Sequence, residues 1–495
     1  MKLDFDLTAE EFTLTRKILA DVLTPKTRVW VFGSRAKNQA RFNSDLDLAL
    51  ESATPLPVLD IHRLKEAFND APLPYRVDVL DIHTVPASFQ AIIRQQAKAF
   101  PMEAKTPKLR FAEFSAEWTE KHLGELVKPN PSNVCLPPNF FYIDLESVSQ
   151  GQFSQTQSIS RDNAPSRAQR LLEPKDILFQ LVRPYQKNNL FFNKKGNYVA
   201  STGYAQLKAY ESPSFLYFAI HDDRFVNRVL ERCTGTNYPA INSKSLLEIK
   251  IRLPHLDEQR KIAAFLTAAD DKIAALKRKK TLLENHKKGM MQQIFSQKIR
   301  FKDDAGNDFP DWKEKRLGEL GEFHGGGTPQ TSMFENWNGE IQWFTPTEIK
   351  QKYLFSSKRT ITETGFKNSS AKILPIGSLL LSTRASVGDV SIAQVECTTN
   401  QGFQSLAVNV NNSNEFLYYW ILAHQKIMLR LASGSTFLEI SKSDISNLSI
   451  LVPHLEEQRK IADFLSALDK KIQIVHTELT QAQTFKKGLL QQMFV

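Results

Sequence analysis

The sequence predicts a multidomain α/β protein: a small α/β domain, then two larger mixed α/β domains separated by two long helices that form an antiparallel coiled coil. Three observations predict it. Pro254-His-Leu-Asp-Glu-Gln-Arg-Lys-Ile262 returns 199 residues later as Pro453-His-Leu-Glu-Glu-Gln-Arg-Lys-Ile461, and 22 of the 44 pairs from Leu253 to Ser296 are identical. The openings Trp118-Thr-Glu-Lys-His-Leu-Gly-Glu-Leu126 and Trp312-Lys-Glu-Lys-Arg-Leu-Gly-Glu-Leu320 repeat as well, while residues 127–252 and 321–451 differ almost completely. Ahead of this duplication, Val29-Trp-Val-Phe-Gly33-Ser34-Arg35 and Asp45-Leu-Asp47-Leu-Ala-Leu50 read as two strands joined by a short helix. A duplicated frame with unlike inserts points to one scaffold carrying two different reading heads.

The front segment, residues 1–105, carries 14 basic and 14 acidic side chains, so the chain's net charge of +10 falls in the duplicated part. A basic excess is the electrostatic footprint of a polyanion binder. Met1 to Glu10 is acidic with no apolar run behind it, which predicts no secretory signal. No stretch approaches the roughly 18 apolar residues of a membrane span, and a cytoplasmic location is expected. Cys135, Cys233 and Cys397 lack metal-ligand spacing and are read as reduced thiols.

In the front segment Asp45 and Asp47 alternate with apolar neighbours, so both carboxylates project from one face of a strand. Asp78 lies in a further predicted strand, Arg76-Val-Asp-Val-Leu80. Close carboxylates repel unless a cation lies between them, and Mg²⁺ favours a few carboxylates plus phosphate oxygens. Gly33 lets the backbone approach a triphosphate, with Ser34 and helix amides as donors. His62 and His83 show no ligand spacing.

After Pro254 the apolar positions Ile262, Leu266, Ala269, Ile273, Leu276, Leu283, Met290 and Ile294 alternate by four and three, with Lys280 and Lys287 in the gaps. The second copy has Ile461, Leu465, Leu468, Ile472, Val475, Leu479, Ala482, Leu489 and Met493, with Lys486 in the gap. Five heptads predict a coiled-coil rod of about 60 Å. Pro254 and Pro453 suit a helix start. The openings read as short helices. In the inserts, Gly, Pro, Asn and Phe with short apolar runs predict many strands and loops. The loop bearing Arg183, Tyr185 and Lys187, with Lys194 and Lys195 nearby, is a candidate for holding phosphates or wedging at a groove, and Arg384 takes the corresponding place in the second unit.

On these motifs, together with Gly325-Gly-Gly-Thr-Pro329, Asp176-Ile-Leu-Phe-Gln-Leu-Val-Arg-Pro-Tyr185 and Ser378-Leu-Leu-Leu-Ser-Thr-Arg384, residues 107–495 resemble the specificity subunit of type I restriction-modification enzymes. The resemblance implies two target recognition domains, each reading half of a split site in double-stranded DNA. It implies docking of two methyltransferase subunits, restriction subunits in the full complex, and no cofactor or membrane association for this module. S-adenosylmethionine and ATP chemistry would belong to the partners. The Gly-Ser, ten residues, Asp-x-Asp pattern resembles the minimal nucleotidyltransferases of the polymerase β-like superfamily. That resemblance implies Asp45, Asp47 and Asp78 as catalytic metal ligands, Asp78 as third ligand or base, and Gly33, Ser34 and Arg35 as NTP-binding residues. The implied reaction transfers a nucleoside monophosphate from an NTP with Mg²⁺.

The expected boundaries are 1–105 for the nucleotidyltransferase-like domain, 106–252 and 312–451 for the recognition domains, 253–296 and 452–495 for the spacer helices, and 297–311 for a linker. Two other readings stay open: a nucleotidyltransferase guided to a protein target by a DNA-binding module, and an inactive nucleotide-sensing domain on a specificity subunit.

Overall fold

β-branched and aromatic residues with Leu48 and Leu50 as partners make Arg28–Phe32 (β1) and Leu46–Glu51 (β2) an antiparallel pair, preceded by helix α1 (Ala9–Val22) and joined through the single turn α2 (Gly33–Ala36). Helix α3 (Val58–Asn69) leads to β3 (Val77–Asp81), which pairs parallel with β2; α4 (Ala87–Gln96) and β4 (Lys98–Ala99) complete a sheet of order β3-β2-β1-β4. Leu46, Leu48 and Leu50 are buried with Val29, Val31, Leu19, Leu64 and Phe68 in one core. On the opposite face of β2 Ala49 is buried with Ile82 and Ile93, and Asp47 is half-buried. The computed structural model describes residues 5–23, 27–41, 44–101, 106–132, 135–149, 151–154, 157–235, 237–384, 386–434 and 438–495. The expected boundary at residue 105 and the first residues of the expected signal-free start lie outside them.

The chain divides into two compact units, Met1–Ala268 with Lys486–Val495, and Ala269–Phe485. The first holds the front domain and the first recognition domain. In the latter, one sheet orders the strands 158–160, 139–143, 198–201 and 168–171, and another orders 190–191, 177–180, 204–209 and 127–129. Its core gathers Phe179, Phe215, Phe225 and Ile251 with Ile262 and Leu266 of the first long helix (Leu256–Phe295) and Leu489 and Met493 of the second (Leu455–Met493).

In the second unit a five-stranded sheet orders 321–325, 404–408, 379–381, 390–393 and 353–354, beside a three-stranded sheet of 359–361, 337–344 and 397–399. Here Ile273 and Leu276 pack with Val475 and Leu479, and Met291 and Ile294 share a core with Ile461 and Leu465. Rising numbers on one helix meet falling numbers on the other, so the two run antiparallel, as the heptads predict. Lys287, a gap in the seam, donates to Asp469 at 2.6 Å.

Two expectations are corrected. The openings are strands rather than helices: Thr119–His122 pairs antiparallel with Lys250–Leu253, and Lys313–Arg316 with Ser449–Val452. Only a single turn follows each, at Leu123–Leu126 and Leu317–Glu319. Pairing with the strand that feeds the long helix overrides the weak helical preference of these polar residues. The long helices begin at Leu256 and Leu455, so Pro254 and Pro453 precede them by two residues. Their carbonyls accept from Gln259 Nε2 at 2.9 Å and Gln458 Nε2 at 3.0 Å, which accounts for the repeated glutamine.

Among the described residues no helix is long and apolar enough to cross a membrane. Cys135, Cys233 and Cys397 are free thiols.

Candidate functional site

The front domain brings Asp47 of β2 and Asp78 of β3 to register neighbours in parallel strands, with Asp45 one residue before β2. Burial raises the Asp47 carboxyl above its usual range, followed by the negative charges of Asp78 and Asp45, while Arg35 opposes the shift. Three carboxylates in electrostatic contact at this sheet edge make a locally negative surface, of the kind that favours hard cations. Among the described residues no group of three or more His, Cys, Asp or Glu side chains is placed to hold a metal ion by itself.

Gly33 has φ of 76°, and a Cβ there would run into Asp47 Oδ2, so only glycine lets the β1–α2 turn pass beside this carboxylate. Ser34 follows at the start of the turn. The Arg35 side chain turns inward. Its guanidinium donates to Ser44 O through Nε at 3.0 Å and Nη2 at 2.7 Å, and to Asp6 O through Nη1 at 2.8 Å. It also lies 3.6 Å over the Tyr75 ring. Arg35 thus fastens the segment before α1 to the approach of β2, and its side chain is not presented to a nucleotide. Arg76 sits 3.8 Å from Asp78. His62 pairs with Glu66, and His83 Nε2 lies 2.9 Å from Ser52 O.

In the first recognition domain, Arg183 and Lys187 bracket the turn Pro184–Gln186 with φ of 54° and 53°. Left-handed backbone at residues with a Cβ costs about 1–2 kcal/mol each. The Arg183 guanidinium lies 4.2 Å over the Tyr238 ring. Tyr185 is exposed. Lys187 is committed internally, donating to Asp223 Oδ1 at 2.5 Å and to His221 O at 2.8 Å. Lys194 lies 5.2 Å from the Phe153 ring centre, and Lys195 is exposed. Of the five candidates here, the structure brings Arg183, Tyr185 and Lys187 onto one turn, with Lys194 and Lys195 on a separate loop.

In the second domain, Arg384 bridges Glu439 where Val182 bridges Ala240 in the first, so it corresponds to Val182 rather than to Arg183. Its Nε is 3.8 Å from Glu439 Oε2. The residue aligned with Arg183, Ala385, is outside the described residues.

A repeated pair that the sequence reading missed locks each head to its helix. Arg110 forks onto Glu258 with two contacts of 2.7 Å, and Arg300 onto Glu457 at 3.0 and 2.8 Å. Both carboxylates are in the first helical turn, where the dipole favours them. The signal was present as Lys108-Leu-Arg-Phe111 and Lys298-Ile-Arg-Phe301, hidden by unequal spacing to the following tryptophans.

Residues 116–285 and 310–484 match the family described as the type I restriction modification DNA specificity domain, and residues 19–100 match the polymerase beta nucleotidyltransferase family. The chain is 37% identical over 185 residues to the type I restriction enzyme MjaIX specificity subunit of Methanocaldococcus jannaschii, covering 36% of this chain and 43% of that one. It is 45% identical over 101 residues to the probable protein adenylyltransferase MntA of Haemophilus influenzae, covering 20% of this chain and 88% of that one. Its fold is like the crystal structure of a type I restriction-modification system S subunit from M. genitalium, with a TM-score of 0.51, 17% identity, and coverage of 79% of this chain and 99% of that one. The chain spans about half the length of the curated specificity subunits it matches at 29–37% identity.

Proposed function

The chain belongs to the type I restriction-modification DNA specificity family, with a front domain of the polymerase β-type nucleotidyltransferase family, and from that premise we propose that it reads a bipartite double-stranded DNA target. The observation that carries this reading is the duplicated frame of ribbon, turn, Arg–Glu fork and long helix around two unlike heads. Unlike heads on a common ruler suit unlike half-sites at fixed separation. The partners on this reading are two methyltransferase subunits, with restriction subunits in the full complex, and the setting is the cytoplasm. Purifying the chain with those subunits and sequencing the positions they methylate tests it. One two-part sequence is the expected result, and methylation without a two-part consensus would overturn it.

For the front domain the proposed reaction is nucleoside monophosphate transfer from an NTP to a protein acceptor, with pyrophosphate leaving. Asp45, Asp47 and Asp78 would hold Mg²⁺, which supplies neutralisation of triphosphate charge when bound. Gly33 keeps the backbone low beside Asp47 so that a triphosphate can approach, and Ser34 supplies a hydroxyl at the same turn. Arg35 acts by holding this turn in place. Retention of all three carboxylates in electrostatic contact favours an active domain over a sensing one.

Incubation with each labelled NTP and Mg²⁺ in host lysate tests the reaction against the Asp45→Ala/Asp47→Ala double variant. The expected result is a discrete protein band labelled by wild type alone. Equal labelling by both proteins, or none by either, would sink the reading.

A further inference from the structure

Most of the guanidinium groups described above are committed to internal acceptors. Arg35 donates to the carbonyls of Ser44 and Asp6, Arg110 and Arg300 fork onto buried glutamates, and Arg384 faces Glu439. Arg183 differs. Among the described residues no carboxylate pairs with it, and its Nε is buried without a hydrogen-bond partner. What holds the guanidinium is the Tyr238 ring beneath it. An arginine held over an aromatic face keeps its orientation, and with Nε buried the fork it can present is the Nη1–Nη2 pair.

The backbone around it is fixed from several sides. Arg183 N donates to Pro239 O at 2.8 Å, and Val182 bridges Ala240. Gln186 N donates to Arg183 O at 3.0 Å, and Gln180 Nε2 donates to Gln186 Oε1 at 2.9 Å. Lys187 is anchored on Asp223. These contacts over-determine two left-handed residues, and strain of this kind persists where a side chain must be aimed. Tyr238, 62% exposed, borders the guanidinium with apolar surface, and Tyr185, 49% exposed, stands on the same turn as Arg183.

We propose that Arg183 is a specificity-determining residue that takes a guanine through O6 and N7 in the major groove of one half-site. The assignment rests on the DNA-reading function proposed above and gives one base contact within it. A phosphate also accepts a guanidinium fork, but a flexible exposed lysine such as Lys195 meets that need without strain or an aromatic platform. A base edge rewards a fixed direction, because guanine alone offers paired acceptors at that spacing. The second head has an arginine–aromatic stack of its own, Arg359 3.5 Å over the Trp337 ring, but it stands on the strand Arg359–Ile361 rather than on a turn fixed by left-handed residues, so the assignment is made for Arg183 and its half-site.

The test is selection of double-stranded DNA from a randomised library by the full chain at one salt concentration, repeated with Arg183→Lys and Tyr238→Leu. Wild type is expected to enrich a two-part motif. Arg183→Lys keeps the charge and loses the fork, so discrimination at one G·C pair should fall on the order of 10- to 100-fold while the other half-site stays unchanged. Tyr238→Leu should weaken the same position to a lesser degree. The unchanged half-site reports that the variants are folded. Retention of the wild-type motif in Arg183→Lys would overturn the proposal, and so would uniform weakening on all sequences, the mark of a phosphate contact. Absence of any two-part motif with wild type would overturn the DNA-reading function itself, and is told apart from the other failures by the wild-type arm alone.

Discussion

The two recognition domains grip the same pair of helices with opposite chemistry. In the second, Lys352 Nζ donates to Glu415 at 2.9 Å, Tyr419 at 3.1 Å and Ser466 at 2.6 Å. Tyr419 in turn donates to Asp469 at 2.6 Å, which also receives Lys287. In the first, the aligned segment Ser212-Pro-Ser-Phe-Leu-Tyr-Phe218 replaces Glu415 by Ser214 and Tyr419 by Phe218. One contact survives in both. Lys287 lies 5.0 Å over the Tyr419 ring, and Lys486, its counterpart, lies 5.4 Å over Phe218. The lysine in the seam covers a ring in both heads, while the hydroxyl and its network are an addition peculiar to one head. A fully bonded buried network fixes one geometry, and a half-bonded one is costly.

The largest break in the comparison should come at the repeated forks. Glu457 is 0% exposed and takes both Arg300 and Trp312 Nε1, the latter at 3.1 Å, whereas Trp118 Nε1 in the first unit has no partner among the described residues. Glu457→Ala should therefore destabilise the second unit by about 3–5 kcal/mol, and Glu258→Ala the first by less, because one fewer donor is orphaned. Amide hydrogen exchange resolved by unit measures both, and equal losses would count against the difference. Lys352→Met should follow at roughly 2–3 kcal/mol, since Glu415 loses a charged donor. Hydrogen bonds from Tyr353 and Lys352 outweigh burial in holding the Glu415 carboxylate below its usual range. Its stabilising effect is therefore present at neutral pH and fades as the pH falls through the carboxylate range.

Acid reaches both heads through a histidine, since burial also lowers the His424 imidazole of the second domain. Burial pushes the His221 imidazole of the first domain down to about 4. The unfolded chain then binds the extra proton between roughly pH 6.5 and 4, so stability is full above that window and declines as pH falls through it. Lowering the pH from 7 to 5 should cost the first unit on the order of 1–2 kcal/mol, and His221→Gln should flatten that slope in a urea series. The smallest effect is expected for Tyr419→Phe, about 1 kcal/mol, because it converts the second grip toward the first; the reverse Phe218→Tyr should lose a similar amount by burying an unpaired hydroxyl. Thermal melts of the two variants sharpen the comparison, and a stabilised Phe218→Tyr would contradict it.

The features legible in the sequence were those with strong periodicity. Heptads announced the long helices and their antiparallel seam, and the apolar alternation announced β2, on which Asp47 lies beside Asp78 of β3, with Asp45 one residue ahead of the strand. Pairings between distant segments were not legible. Thr119–His122 is a strand only because Lys250–Leu253 lies beside it. Arg35 turns inward because Ser44 and Asp6 carbonyls await it, and Lys187 because Asp223 does. Arg384 was aligned by its neighbourhood to Arg183, and only the bridge to Glu439 reveals the one-residue offset. A cation in a sequence carries no indication of whether its partner is a protein carboxylate or a ligand.

Trp118 meets Phe215 and Phe494 at 6.1 and 6.3 Å between ring centres, and in the second unit Trp312 and Phe295 both meet Phe416, at 6.1 and 5.7 Å. Each cluster thus joins a head to the far end of the other repeat's helix. On the ribosome this separates the order of synthesis from the order of completion. Residues 486–495 emerge only after the whole of the second unit, yet they belong to the first. The nascent first head must wait with Phe215 and Trp118 uncovered while more than two hundred further residues are added, and its closure depends on a helix tail delivered by the unit made after it.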